Sequence, residues 1–137
     1  MISDPAPCES PTSGIILFAD DEPLLRDVAS QMIQKLGFQV LTASTGREAI
    51  RLFQEHHDNI RVVILDMMMP DWNGAETFNK LQAIDPDVSI LICSGFTREI
   101  MPELLAKGCK GFLQKPFTMA DLKLHILKAM NEPISAV

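Results

Sequence analysis

Short apolar runs alternate with amphipathic stripes along most of this 137-residue chain, and that alternation limits the fold more than any other feature. Ile15-Ile16-Leu17-Phe18-Ala19 is continuously apolar, as a strand covered on both faces would be. Leu25, Val28, Ala29, Met32, Ile33 and Leu36 then recur at helical spacing, and Gly37 is a natural stop. Residues 38–43 predict a second strand, and Thr45-x-x-Glu48 a capping box opening a second helix. Residues 61–65 predict a third strand, ending in Asp66. The following loop holds Pro70, Asn73 and Gly74. Asn73 with Glu76 suits the start of a third helix whose apolar side is Phe78, Leu81 and Ile84. A fourth strand is expected over 88–93, a fourth helix around Ile100, Met101, Leu104 and Leu105, and a short fifth strand over 111–113. Thr118-x-x-Asp121 opens a last helix with the stripe Met119, Leu122, Ile126, Ala129 and Met130.

Five strand–helix units predict an α/β fold, a doubly wound (βα)5 domain with helices on both faces of a parallel sheet. Right-handed crossovers leave few topologies, and a flavodoxin-like strand order of 2-1-3-4-5 is expected. The folded domain is placed at residues 15–131. Residues 1–14, rich in Ser, Thr and Pro, read as a flexible leader or interdomain linker, and 132–137 as a C-terminal tail.

The net charge of −6, with no run of basic residues, argues against nucleic-acid binding by this segment. No apolar stretch is long enough to span a membrane, and the N-terminus lacks the pattern of a signal peptide. Cys8, Cys93 and Cys109 have neither disulfide-framework nor zinc spacing, and Cys93 reads as a small core residue. A reducing, cytoplasmic location is expected. His56 and His57 are adjacent and share no helix face, so they do not read as metal ligands. They and His125 are expected at the surface.

In an open parallel sheet the working site lies beyond the carboxyl ends of the strands. Here those ends carry Asp20-Asp21-Glu22, Asp66, Ser94-Gly95 and Lys115-Pro116. Crowded carboxylates repel one another, and a hard cation with oxygen ligands relieves that repulsion. Mg²⁺ suits such a set because it binds through one or two carboxylates and keeps waters that phosphate oxygens can replace. Mn²⁺ would fit the same ligands. Asp66 could then attack phosphorus, with Mg²⁺, Lys115 and the Ser94 hydroxyl sharing the charge on the equatorial oxygens.

Four segments carry a resemblance: Ala19-Asp20-Asp21-Glu22-Pro23, Leu65-Asp66-Met67-Met68-Met69-Pro70, Ser94-Gly95, and Gly111-Phe112-Leu113-Gln114-Lys115-Pro116-Phe117. In this order, at strand ends, they resemble the receiver domains of bacterial response regulators and hybrid histidine kinases, over roughly residues 14–130. The resemblance implies that Asp66 is the phosphoacceptor, taking its phosphoryl group from the phosphohistidine of a histidine kinase or phosphotransfer domain. It implies Mg²⁺ on Asp21, Asp66 and the Met68 backbone carbonyl, with Asp20 acting mainly through water. Ser94 would grip a phosphate oxygen and Lys115 would pair with the phosphoryl group. Phe112 would be the switch aromatic that turns inward when Ser94 moves, and the bond to Pro116 is expected to be cis. Ser94 and Phe112 are permitted variants of the family's more frequent threonine and of its tyrosine or phenylalanine. The family's frequent output surface, made by the fourth helix, fifth strand and last helix, makes Leu124 a contact candidate for a homodimer or an output partner. Leu24 is a candidate contact for a kinase helix. The Pro/Ser-rich leader and the resemblance of the Ser-Gly-Phe and Gly-Phe-Leu-Gln-Lys-Pro-Phe segments to receivers of hybrid sensor kinases favour a receiver belonging to such a kinase over a stand-alone receiver.

On this reading the chain is a signalling phosphoacceptor that catalyses only its own phosphorylation and dephosphorylation. A haloacid-dehalogenase-type phosphatase would want a second Asp two residues past the nucleophile, where Met68 stands. A flavodoxin-like cofactor binder would want a Gly/Ser/Thr phosphate cradle in the first loop, which instead holds three acids. The remaining alternative is a degenerate receiver acting only as a protein-interaction module.

Overall fold

A computed structural model of the protein describes residues 14–69, 71–72, 74–95 and 106–130. The elements are β1 (Ile15–Ala19), α1 (Pro23–Lys35), β2 (Gln39–Ala43), α2 (Gly46–His56), β3 (Ile60–Asp66), α3 (Gly74–Ile84), β4 (Ile90–Ser94), β5 (Gly111–Gln114) and α4 (Met119–Met130). The five strands are parallel, in the order β2-β1-β3-β4-β5. This is the flavodoxin-like (βα)5 topology expected from the sequence. The helix predicted around Ile100–Leu105 lies outside the described residues, as do Pro70, the Asn73 cap, the leader up to residue 13 and the tail. No helix among the described residues is long and apolar enough to cross a membrane.

Strand alternation sorts the core into two layers. Leu17, Ala19, Val63, Leu65, Ile90 and Ile92 face α2 and α3, packing with Ala49, Phe53, Phe78 and Leu81. Ile16, Phe18, Val62, Ile64, Leu91, Cys93 and Leu113 face α1 and α4, packing with Ala29, Ile33, Leu122 and Ile126. Both faces of the central strands are covered, which is why these strands are continuously apolar in sequence. Phe78 is fully buried against the first layer. Phe78→Ala is expected to cost about 3–5 kcal/mol, read as a lower denaturant midpoint with an unchanged m-value.

Several local expectations shift. β2 and β4 begin one and two residues later than predicted, and β4 runs on through Ser94. Val28 leaves the predicted α1 stripe: it is 52% exposed, and the buried side of α1 is Ala29 and Ile33. The α2 capping box is offset by one residue. The Thr45 hydroxyl accepts from Glu48 N (3.1 Å), but the Glu48 carboxylate returns to Ser44 N (2.8 Å). His125 is only partly exposed, and its Nδ1 lies 2.8 Å from the Asp121 carbonyl one turn earlier. His57 is exposed, but it packs edge-on against Phe53 and reaches Asp85 with Nε2 (3.0 Å), tying the ends of α2 and α3.

Candidate phosphorylation site

The same alternation that builds the core aims the site. Asp20 follows Phe18 by two residues, Asp66 follows Ile64, and Lys115 follows Leu113, so all three continue the α1-facing layer past the strand ends. Ser94 and Phe112 belong to the opposite parity, with Ile92 and the α2–α3 layer. Strand register then closes the distances. Lys115 Nζ lies 2.7 Å from Asp20 Oδ2 and 3.2 Å from Asp66 Oδ1. Lys115 itself is anchored by its amide, which donates to the Ser94 carbonyl (3.1 Å). The Lys115–Pro116 bond is cis.

Asp20, Asp21 and Asp66 each bring a carboxylate oxygen within 4.8 Å of the others. They sit in a pocket of about 640 Å³ that Met68, Ser94, Gly95 and Lys115 also line. Asp20, Asp66 and Ser94 are buried, whereas Asp21 is exposed at the mouth. Asp20 has a structural role as well: its Oδ1 accepts from Glu22 N (2.9 Å), closing the turn into α1, while its carbonyl accepts from Arg26 Nη1 (2.9 Å). This turn role of Asp20 coexists with its place in the acidic cluster.

The electrostatics follow from burial and crowding. Burial, and then the neighbouring charge of Asp20, push the Asp66 carboxyl above its ordinary range, against the pull of Lys115 and the Met68 amide. Burial works against the charge on Lys115, but the Asp20 hydrogen bond and the charge of Asp66 outweigh it and raise its pKa. One ammonium does not neutralise three carboxylates. An all-oxygen donor set with residual negative charge and an open pocket fits a hard divalent cation. Cys93, paired with Asp66 across the strands, is no rival nucleophile, because burial pushes its thiol up to about 12.

Met68 is 74% exposed, so its side chain stands at the pocket rim rather than in the core. Phe112 is half-buried against the α2–α3 layer, neither fully packed nor free. Below the pocket, Gly74 N donates to the Met67 carbonyl (3.0 Å). A Cβ at Gly74 would lie 2.8 Å from Met67 Cα, so this close return after Asp66 requires glycine.

One residue near Asp66 in the chain drew no attention in the sequence. Asp71, in the loop after Asp66, accepts from Gly46 N (2.8 Å) and Trp72 N (2.7 Å) on Oδ1 and from Arg47 N (2.9 Å) on Oδ2. An aspartate in a Pro-Asp-Trp-Asn-Gly loop looks like an ordinary turn residue. Two of its three partners, Gly46 and Arg47, lie 25 and 24 residues upstream, and no local pattern marks them.

A family model for the response regulator receiver domain matches residues 16–127. The chain belongs to that family. This receiver domain is 31% identical over 119 residues to the chemotaxis protein CheY of Thermotoga maritima, covering 85% of this chain and 94% of that protein. It is 29% identical to part of the sensor kinase CckA of Brucella abortus, covering 88% of this chain but 13% of the kinase. Among solved structures, a receiver domain protein from Clostridium thermocellum superposes with a TM-score of 0.83 at 30% identity, covering 90% of this chain and 99% of that one. CheY from Borrelia burgdorferi, solved in a CheX–CheY–BeF3–Mg²⁺ complex, gives 0.82 at 25% identity, covering 86% and 90%. The receiver fold thus occurs both as nearly a whole protein and as a minor part of a long sensor kinase.

Proposed function

We propose that this receiver domain takes a phosphoryl group from the phosphohistidine of a histidine kinase or phosphotransfer domain onto Asp66, and that the phosphorylated form signals through an altered surface. The observation that carries this reading is a buried carboxylate at the end of β3, facing an open pocket, with a lysine and two further aspartates beside it. Asp66 Oδ attacks phosphorus, and the P–N bond breaks with its electron pair leaving on the donor imidazole. Lys115 Nζ, already beside Asp66, pairs with a phosphoryl oxygen, and the Ser94 hydroxyl, which lines the same pocket, donates to another. Asp20, Asp21, Asp66 and the Met68 backbone carbonyl would hold Mg²⁺ or Mn²⁺, which when bound neutralises charge on the phosphoryl oxygens. Ser94 moving toward the phosphoryl group would open space for Phe112 to turn inward, coupling the site to β5.

The donor's helix has a surface to meet. Leu24 is 79% exposed, and Val28 follows one turn later on α1. Val28 also lines an apolar groove of about 320 Å³ together with Leu25, Met32, Lys115, Pro116 and Phe117. Leu124, exposed on α4, marks the surface for a homodimer or output partner. Membership in a hybrid sensor kinase, with residues 1–14 as linker, fits the relation to CckA.

Incubation with Mg²⁺ and a small-molecule phosphodonor, followed by intact mass measurement, tests the reading. Addition of one phosphoryl group that requires Mg²⁺ supports it. No addition from several donors or from a histidine kinase makes the domain an interaction module. Met68 at the pocket rim is expected to slow the approach of hydrolytic water. Met68→Asn should therefore shorten the phosphorylated lifetime several-fold, and an unchanged dephosphorylation rate would sink that role.

A further inference from the structure

We propose that Asp71 is a positioning residue for cation binding at the phosphorylation site, an inference that rests on the Mg²⁺ reading above. In the loop after Asp66, the Met68 amide donates to Asp66, and the Met68 carbonyl is the cation ligand proposed above. The loop is fixed at three places around them. Gly74 N closes it on the Met67 carbonyl, Met69 is buried in the α2–α3 layer, and Asp71 fastens it to the first turn of α2.

The Asp71 attachment ties the loop to α2 by hydrogen bonds. Gly46 N and Arg47 N are the first two amides of α2 and have no partner within the helix. Thr45 serves Glu48 N, and the Thr45 carbonyl serves Ala49 N, so Asp71 completes the set. Burial pushes the Asp71 carboxyl up, but the amides of Arg47, Gly46 and Trp72 outweigh it and hold it below the ordinary range. Both its oxygens are committed to amides, so Asp71 acts on the site through the loop rather than as a ligand. Trp72 continues the attachment. A Cβ on Gly46 would lie 3.0 Å from the indole, and Arg47 and Lys80 sit 5.2 and 4.7 Å from its centroid. Releasing Asp71 frees the loop that presents Met68. Partners that orient metal ligands typically matter about 10–100-fold in affinity.

The test is calorimetric titration of the full chain with Mg²⁺, without phosphodonor, alongside thermal melts. Asp71→Ala is compared with Thr45→Ala, which removes a different amide acceptor from the same helix turn. Asp71→Asn, which keeps the size and one acceptor oxygen, serves if the alanine variant does not fold. The expected result is Mg²⁺ binding weakened about tenfold or more by Asp71→Ala, less by Asp71→Asn, and unchanged by Thr45→Ala although its melting temperature also falls. Wild-type affinity in the Asp71 variants, or equal weakening in the Thr45 variant, overturns the proposal. A wild-type chain that binds no Mg²⁺ overturns the metal reading itself, a separately visible outcome.

Discussion

Asp66→Asn is expected to abolish phosphoryl uptake and, at neutral pH without divalent cation, to raise the melting temperature. The first effect follows from the loss of the carboxylate nucleophile. The second follows from the price of keeping a charge where Asp66 sits. Burial and the Asp20 carboxylate raise the Asp66 pKa above its unfolded value of about 4. Between those two pH values the folded chain binds more protons than the unfolded one, so stability falls as pH rises through the window. Above it the ionised carboxylate is a standing destabilisation that Asn removes without changing side-chain size. Mg²⁺ should stabilise the wild type, by about 2.7 kcal/mol at a hundredfold excess over Kd, and the Asn variant much less. Melts with and without Mg²⁺ at neutral and mildly acidic pH check this. A less stable Asn variant at neutral pH would show that Asp66 is held mainly by favourable contacts.

Lys115→Met should have the opposite sign on stability. It removes the ammonium that bridges Asp20 and Asp66 at 2.7 and 3.2 Å and leaves two buried carboxylates facing each other. The folded pKa of Lys115 is raised, so its contribution is complete below the unfolded lysine pKa and is lost as pH rises through the folded value. The melting temperature should therefore fall at neutral pH, and Mg²⁺ should restore more of it than it adds to the wild type. Phosphorylation by a small-molecule donor should slow by about 10²-fold, because a preorganised cation no longer meets the phosphoryl oxygens. Wild-type stability with a slowed reaction would confine Lys115 to the chemistry. Unchanged rates would remove it from the site.

The sequence alone determined the topology and the principal cluster. Continuous apolar strands must be covered on both sides, stripes at helical spacing must cover them, and right-handed crossovers then leave few orders, of which 2-1-3-4-5 was the one expected. Residues at or just past the carboxyl ends of strands necessarily meet at one edge of such a sheet, so Asp20, Asp66, Ser94 and Lys115 could be assembled before any coordinate was known. Local rules were less reliable at element edges. Val28 fits the α1 stripe by spacing, yet it faces solvent beside the groove at Phe117, because the packing of α1 on the sheet decides which edge of a stripe is covered. The tertiary structure alone decided how the charges are distributed. It places Lys115 nearer to Asp20 than to Asp66, gives Asp20 a second duty at the α1 turn, and commits Asp71 to the amides of α2. Each of these depends on angstrom-scale distances between groups far apart in the chain. Periodicity fixes which face a side chain takes, but only the packed fold fixes which of several like charges it meets there.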